Sequence, residues 1–268
     1  MRRSIMRPHE LPCGIVAPNR RLVQFCFTLK NVPGALACVV EEIARWRINI
    51  LSGHISALPG EEHGYATFFA DLTGLALDVD AILDGLRSLD VVEDVHILEP
   101  ELPGMIIDVA HFPLKFLGQD SVIIDLNMVG HMFSRLYEVF ETGASVILYE
   151  MGHRAGRAAA ETVLKFGLRG LDALRAIMAL GVARGWCVPE LLEWDETVPR
   201  LVMRLWDNFE CKPIAGQRDR PSSHLMRGLI AGLVEGLTGK KVKVKEVKCI
   251  AEGDDYCEFV AEGYETIA

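Results

Sequence analysis

Apolar residues recur at two different spacings along the N-terminal part of the chain. Alternating or continuous apolar runs predict strands, and apolar residues three or four apart predict helices. These patterns predict strands at 21–30, 48–57, 63–72 and 91–98, and helices at 35–46 and 78–89. A Pro33-Gly34 turn separates the first strand from the first helix. The order β-α-β-β-α-β predicts a ferredoxin-like domain over residues 20–100.

A segment rich in proline follows this pattern. Glu99–Gly104 contains two prolines and one glycine, which predicts a domain boundary. The remaining part, 101–268, has an α+β pattern. Its predicted elements are strands at 105–110, 122–125 and 145–148, helices at 127–140, 149–166 and 168–184, a strand-rich stretch at 185–208, a helix that starts at 221–223 and ends at 238, and a hairpin at 241–249 and 256–261. The predicted fold class is therefore α+β with two domains.

The composition argues against several classes of protein. The 268 residues are half hydrophobic and carry a net charge of −9, whereas non-specific nucleic-acid binding requires a basic surface. Lys and Val alternate over 240–245, which predicts a strand with one solvated face. The chain is predicted to have no secretory signal and no membrane span, since no apolar run approaches about 20 residues. Seven cysteines, an odd number, then favour a cytoplasmic location where thiols stay reduced.

One spacing near the C-terminal end indicates a specific site. Glu246, Cys249 and Cys257 form E-x2-C-x7-C, and Gly253-Asp254-Asp255 in the longer gap predicts a turn. Such a turn between two strands would place the thiols side by side, with the carboxylate within reach. Thiolates together with a carboxylate suit Zn²⁺. The alternative is that both cysteines are small core residues and that the glutamate is solvated.

Glycines four residues apart occur in two of the predicted helices. Gly152 and Gly156 lie in one helix, and Gly228, Gly232 and Gly236 lie in the other. Because glycine in a helix costs about 1 kcal/mol relative to alanine, these repeats need a compensating reason. We expect close approach of another helix, which we favour over contact with a ligand.

The first turn of the N-terminal domain carries a family resemblance. The segments Asn31-Val-Pro-Gly-Ala-Leu36 and Ile48-Asn-Ile50 resemble the ACT domain, a small-molecule regulatory module. The resemblance implies that Asn31, Gly34, Ala35 and Asn49 contact an amino acid or a related ligand, usually at a dimer interface. Backbone N–H groups at a helix N-terminus suit a carboxylate. The alternative is that the segment is only a tight turn and that the domain serves for dimerisation.

Three blocks of the C-terminal part carry a second resemblance. Trp206–Cys211, Ser223–Gly232 and Glu246–Phe259 look like the vinyl-4-reductase-type domain, a hydrocarbon-binding module, over about 105–262. This resemblance implies the NO-signalling/Golgi-transport ligand-binding fold, also found in TRAPP subunits. It further implies a buried apolar cavity for a small hydrophobic ligand, and a homodimer formed through helices. Candidates for the cavity lining are Met132, Phe133, Leu136, Trp186 and Trp206.

The same resemblance implies a zinc site. In phenol-sensing relatives one Glu and three Cys hold zinc, and three of these positions correspond to Glu246, Cys249 and Cys257. The fourth position falls on Ser223, a departure from the pattern. The neighbouring His224 and the more distant Cys211 are then the candidates for the fourth ligand. A site with four protein ligands would be structural, because catalysis needs an open position.

The sequence favours a regulatory protein over an enzyme. It contains no G-x-S-x-G, no H-E-x-x-H, no Walker P-loop and no dinucleotide fingerprint after a strand. We therefore predict a cytoplasmic, homodimeric sensor with structural zinc that holds a small hydrophobic molecule in its C-terminal domain. An enzyme of the vinyl reductase type and a TRAPP-like scaffold are the alternatives.

Overall fold

The computed structural model describes residues 6–76 and 78–264, which fold as two compact units. The first unit ends at Val122 and the second begins at Ile123. The sequence places the boundary earlier, at the proline-rich segment 99–104. The difference arises because strand β6 (Met105–Ile107) pairs in antiparallel register with strand β1 (Gly14–Val16), which ties it to the first unit.

The first unit is built around a four-stranded antiparallel sheet. Its strands are β2 (Leu22–Lys30), β3 (Asn49–Ser56), β4 (His63–Asp71) and β5 (Val92–Leu98), and its helices are α1 (Ala35–Arg45) and α2 (Val79–Arg87). The strand order in the sheet is β3-β4-β2-β5. Val39 of α1 and Ile82 of α2 share one apolar core with Phe25 of β2. The chain order β-α-β-β-α-β agrees with the pattern in the sequence, and the ferredoxin-like fold stays a prediction.

The opposite face of this sheet is covered by the β1–β6 ribbon. Ile106 of β6 is buried with Leu22 and Phe69, whose side chains point away from the helices because strand residues alternate between faces. Ile15 of β1 packs against the same cluster. A short hairpin of β7 (Lys115–Phe116) and β8 (Gln119–Asp120) completes the unit.

The second unit combines four helices with a second antiparallel sheet. Its elements are α3 (Leu126–Phe140), α4 (Gly143–Lys165), α5 (Gly170–Ala183), β9 (Val188–Asp195), β10 (Arg200–Trp206), α6 (His224–Thr238), β11 (Val242–Lys248) and β12 (Cys257–Gly263). The strand order is β11-β12-β10-β9. Lys243 and Lys245 of β11 are exposed and alternate with buried side chains, as the sequence predicts. In the part of the chain that the structure describes, no helix combines the length and apolar composition that a bilayer span requires.

Two strands predicted for the second part of the chain are not present in the structure. Residues 145–148, predicted as a strand from their apolar β-branched pattern, lie inside α4, and 122–125 form no strand. Ala144 and Leu148 are buried at the spacing that continues to Gly152 and Gly156. Packing of this face against α6 therefore overrides the local strand preference of the short segment.

The glycine repeats lie where α4 and α6 cross. A Cβ atom added at Gly156 would collide with the carbonyl oxygen of Leu229 and would lie 2.7 Å from the backbone nitrogen of Leu233. A Cβ atom at Gly232 would collide in turn with the carbonyl oxygen of His153. The two backbones thus touch directly, and helix packing explains the repeats.

Candidate metal and ligand-binding sites

Four potential metal ligands converge at the N-terminal end of α6. Cys211 precedes a 3-10 turn (Lys212–Ile214), Glu246 lies in β11, Cys249 follows β11, and Cys257 begins β12. All four are buried, and one ligand atom from each lies within 4.8 Å of the others. We call these four residues the cysteine–glutamate cluster. Among the described residues, these four form the group of His, Cys, Asp or Glu side chains that lie close enough together to hold a metal ion.

The loop between β11 and β12 places two of the thiols side by side. A short 3-10 turn ends at Gly253, whose φ of 105° is a left-handed conformation that glycine adopts without strain. The Asp254 carboxylate accepts a hydrogen bond from the backbone N–H of Cys249 at 2.9 Å. The backbone N–H of Ile250 donates to the Cys257 sulfur at 3.4 Å. The predicted turn and the predicted juxtaposition of the two thiols are therefore confirmed.

Ser223 connects the members of the cluster. Its hydroxyl donates to Glu246 Oε1 at 2.6 Å, and its Oγ lies 2.9 Å from Cys211 Sγ and 3.4 Å from Cys257 Sγ. Asn208, which is fully buried, donates from Nδ2 to Ser223 Oγ at 3.0 Å and to Cys257 Sγ at 3.3 Å. The position that the family pattern gives to a cysteine thus holds a serine, and the thiol of Cys211 lies beside it.

Hydrogen bonds among the thiols separate their pKa values. Bonds from Cys211 and Cys257 lower the pKa of Cys249, and the bond to Cys249 raises the pKa of Cys211. At Cys257 the bond to Cys211 lowers the pKa, but the bond to Cys249 and burial outweigh it and raise the pKa to about 12. Burial raises the pKa of Glu246 to about 8. A divalent cation would replace the protons that the cluster otherwise retains, because ligating thiols are deprotonated.

The geometry of the cluster fits a tetrahedral metal site. The sulfurs of Cys211 and Cys249 are 3.6 Å apart. Two sulfurs at about 2.3 Å from one zinc ion are separated by about 3.8 Å in a tetrahedron, whereas a disulfide requires about 2.0 Å. Three thiols and one carboxylate can supply four protein ligands, the number that is typical of closed structural sites.

His224, the other candidate for the fourth ligand, begins α6 outside the cluster. Its ring packs against Tyr137 with the centroids 6.4 Å apart. Burial lowers the pKa of this imidazole to about 4, so it is neutral at neutral pH. Of the five predicted metal-site residues, the structure brings four together and places His224 against a neighbouring helix.

Glu210 is a candidate that sequence reasoning missed. Its buried carboxylate accepts hydrogen bonds of 2.8 Å from the backbone N–H groups of Leu225 and Met226, in the first turn of α6. A helix N-terminus favours such a group, although burial raises its pKa to about 8. Because Glu210 adjoins Cys211, it ties the loop that carries this thiol to α6. An acidic residue between apolar Phe209 and Cys211 was the available signal.

We expect Glu210→Ala to lower the free energy of unfolding by about 2–4 kcal/mol, because one buried and one partly buried backbone N–H group would lose their acceptor. The measurement is urea unfolding followed by tryptophan fluorescence. Asp125→Ala is the matched control, since Asp125 caps exposed α3 through the backbone N–H of Met128 and its loss costs about 1 kcal/mol. Equal losses in the two variants would show that the buried carboxylate contributes no more than an exposed helix cap.

A cavity of about 360 Å³ lies between α4, α5, α6 and the sheet. Buried Leu205 of β10 and Leu229 of α6 form part of its inner wall. Exposed Ala155, Ala158 and Thr162 of α4 also line it, which places its opening along this helix. The volume lies within the range of about 300–1,000 Å³ that is typical of small-molecule sites.

The predicted lining residues are divided between this cavity and other places. Trp186 lines the cavity. Helix α3, which carries Met132, Phe133 and Leu136, has no buried residue, and Phe133 lines a separate space of about 10 Å³. The Trp206 ring packs against the Tyr256 ring, with the two centroids 4.7 Å apart. An apolar stripe on a helix indicates one preferred face, but not which cavity that face contacts.

The residues of the predicted ACT-like site surround the first turn of the first unit. Gly34 caps α1 in a left-handed conformation with φ of 90°, Ala35 is buried behind it, and Asn49 is exposed at the start of β3. Asn31 donates from Nδ2 to two carbonyls of the β3–β4 loop, at 3.1 and 2.9 Å. This amide therefore orders the neighbouring loop, and ligand binding at the turn stays a prediction.

Comparison with known proteins relates parts of the chain to others. One uncharacterised protein of Methanocaldococcus jannaschii is 47% identical over 58 residues, which is 21% of this chain and 25% of that protein. A second is 46% identical over 39 residues, which is 15% of this chain and 22% of that protein. The chain thus spans at most a quarter of the length of these curated relatives.

A solved structure shares the fold of a larger part. The phenol-responsive sensory domain of the transcription activator PoxR, solved with phenol, matches 55% of this chain and 79% of that chain. The TM-score is 0.50 and the sequence identity is 20%, so the likeness shows the fold alone. The segment that contains the whole cysteine–glutamate cluster, residues 201–263, matches the family model of the vinyl-4-reductase domain.

Proposed function

We propose that the second unit binds a small apolar molecule in the cavity between α4, α5, α6 and the sheet, and acts as the sensing module of a regulatory protein. The cavity carries this proposal, because about 360 Å³ enclosed by mainly aliphatic side chains offers affinity through burial of apolar surface. An engineered cavity of about 150 Å³ accepts benzene. The volume here therefore suffices for an aromatic ring with substituents, or for a short aliphatic chain.

The shared fold supports the regulatory part of the proposal. The PoxR domain is described as phenol-responsive and sensory, and it matches this chain over 55% of its length. Among the described residues that line the cavity, Arg184 is the one with a charged side chain. Its guanidinium carbon lies 5.5 Å from the centroid of the Trp186 ring. The chemistry of the walls thus favours a ligand that is mostly apolar.

In the same proposal the cysteine–glutamate cluster holds one structural Zn²⁺. Thiolates with one carboxylate suit this ion, and four protein ligands close the site. Ser223, at the start of α6, touches the cluster, and Met226 and Leu229, within the next two turns, line the cavity. A metal ion bound here would fasten the β11–β12 hairpin to the loop that carries Cys211. Glu210 in the same loop accepts hydrogen bonds from the first turn of α6, so the metal would also hold this end of the cavity wall in place.

The test is calorimetric titration of the full chain with phenol and with linear alcohols from hexanol to dodecanol. We expect the native chain to bind at least one of these probes. We expect Ala159→Phe to weaken that binding at least about tenfold, because the added ring would occupy part of the cavity, of which Ala159 is a lining residue.

Ala179→Phe is the matched control. Ala179 is exposed on α5 outside the cavity lining, so the same ring should leave probe binding unchanged. Two results would contradict the proposal: no binding of any probe by the native chain, or equal binding by the native chain and Ala159→Phe.

A further inference from the structure

A second cavity lies behind the wall of the first. It measures about 150 Å³, and its lining includes Val188, Phe209 and the ion pair of Asp207 with Lys212, whose oxygen and nitrogen are 3.1 Å apart. Among the described residues, Cys187 is the one that belongs to the linings of both cavities. Cys187 therefore lies at the boundary of the two spaces.

The surroundings of Cys187 explain how one small side chain separates them. The residue lies immediately before β9 and is 7% exposed. Across from it in α5 is Gly181, where an added Cβ would lie 3.8 Å from the Cys187 sulfur. The sulfur thus lies in the gap between α5 and the start of β9. Burial raises the pKa of the thiol to about 12, so the partition is neutral and apolar.

We propose that Cys187 is a specificity-determining residue that sets the maximum length of the ligand by separating the 360 Å³ cavity from the 150 Å³ cavity. This inference rests on the proposed function. It assigns the ligand to compact apolar molecules, such as a substituted ring or a short chain, and excludes long acyl chains. Removal of the Cys187 sulfur joins the two spaces and extends the site toward the Asp207–Lys212 ion pair.

A homologous series measures this length directly. For the native chain, the affinity for linear alcohols from hexanol to dodecanol should rise about fourfold with each methylene that is buried, and should stop rising when the first cavity is full. For Cys187→Ala the rise should continue to longer alcohols. For Cys187→Leu it should stop at a shorter alcohol, because the larger side chain reduces the first cavity.

Cys187→Ser is the control for size, because it keeps the volume of the side chain and replaces the sulfur. It should keep the native length limit, although its affinities fall throughout. The length limit is the alcohol at which the affinity of a given variant stops rising. A general loss of stability lowers the affinity for every alcohol and therefore does not change this limit.

The outcomes separate this inference from the proposed function. If the native chain and both size variants reach the same limit, the partition is overturned while ligand binding in the cavity stands. If no alcohol binds to the native chain but phenol does, the cavity accepts rings alone and Cys187 has no role in chain length. If no probe binds at all, the proposed function fails and the partition fails with it.

Discussion

A Cys211→Ser variant is expected to purify without the stoichiometric zinc that the native chain should carry. A serine hydroxyl is a poor zinc ligand, and the three residues left would no longer close the site. Changes next to metal ligands already weaken binding by about 10–100-fold, so the loss of a ligand should exceed about 100-fold. At a fixed metal concentration this corresponds to at least about 2.7 kcal/mol in the free energy of unfolding. Elemental analysis and thermal unfolding measure the two effects.

The position of Ser223 supplies a sharper form of this experiment. Its Oγ lies 2.9 Å from the Cys211 sulfur and 3.4 Å from the Cys257 sulfur, so a thiol placed there would face the same centre. We expect the double variant Cys211→Ser with Ser223→Cys to regain metal. Cys187→Ser, a buried cysteine of the same unit outside the cluster, should keep full metal content. If Cys211→Ser keeps its zinc while His224→Ala loses it, the fourth ligand is the histidine.

Gly156→Ala is expected to destabilise the second unit by about 1–3 kcal/mol. In an ordinary helix this change stabilises by about 1 kcal/mol, so the sign is the informative part. At Gly156 the new methyl group would collide with the carbonyl oxygen of Leu229, which is backbone and cannot rotate away. Overpacking of a tight contact typically costs about 1–3 kcal/mol, and separating two backbones lies at the upper end.

Urea unfolding followed by tryptophan fluorescence measures this change, because Trp186, Trp194 and Trp206 lie in the second unit. Gly181→Ala in α5 is the control. Its added methyl group would meet the Cys187 sulfur at 3.8 Å, an ordinary contact, so its stability should stay the same or rise by up to about 1 kcal/mol. Similar stabilities for the two variants would show that α4 and α6 can separate without cost.

Local spacing predicts part of the metal site, and chain topology determines the rest. Cys249 and Cys257 are eight residues apart around a glycine turn, so their pairing is visible in the sequence. Cys211 precedes Glu246 by 35 residues, and nothing in the intervening pattern fixes where its loop lies. The contacts of Glu210 with the first turn of α6 cannot be predicted from the sequence either, because Glu210 lies in the same loop as Cys211. The family pattern places the fourth metal ligand at Ser223. The sequence alone does not decide whether Cys211 or His224 supplies that ligand instead.

Some features of the fold are likewise predictable from the sequence, and others are not. The order of elements in the first unit follows from alternation and helical spacing, and the glycine repeats correctly indicated a close helix crossing. The strand predicted at 145–148 is wrong because its apolar residues also suit a helix, and packing on α6 decides between the two. The outward position of α3 was likewise invisible, because a stripe of Met and Leu does not show which neighbour it meets.

The direct contact of α4 with α6 has a consequence for how a ligand reaches the cavity. Two helices whose backbones touch at interlocking glycines resist tilting against each other, since a tilt would force carbonyl oxygens into Cα atoms. Helix α5 has no such interlock, and only Ala173 and Leu174 are buried along its length among the described residues. Widening of the cavity would therefore require a displacement of α5 rather than of the α4–α6 pair, and such a displacement would carry Gly181 away from Cys187.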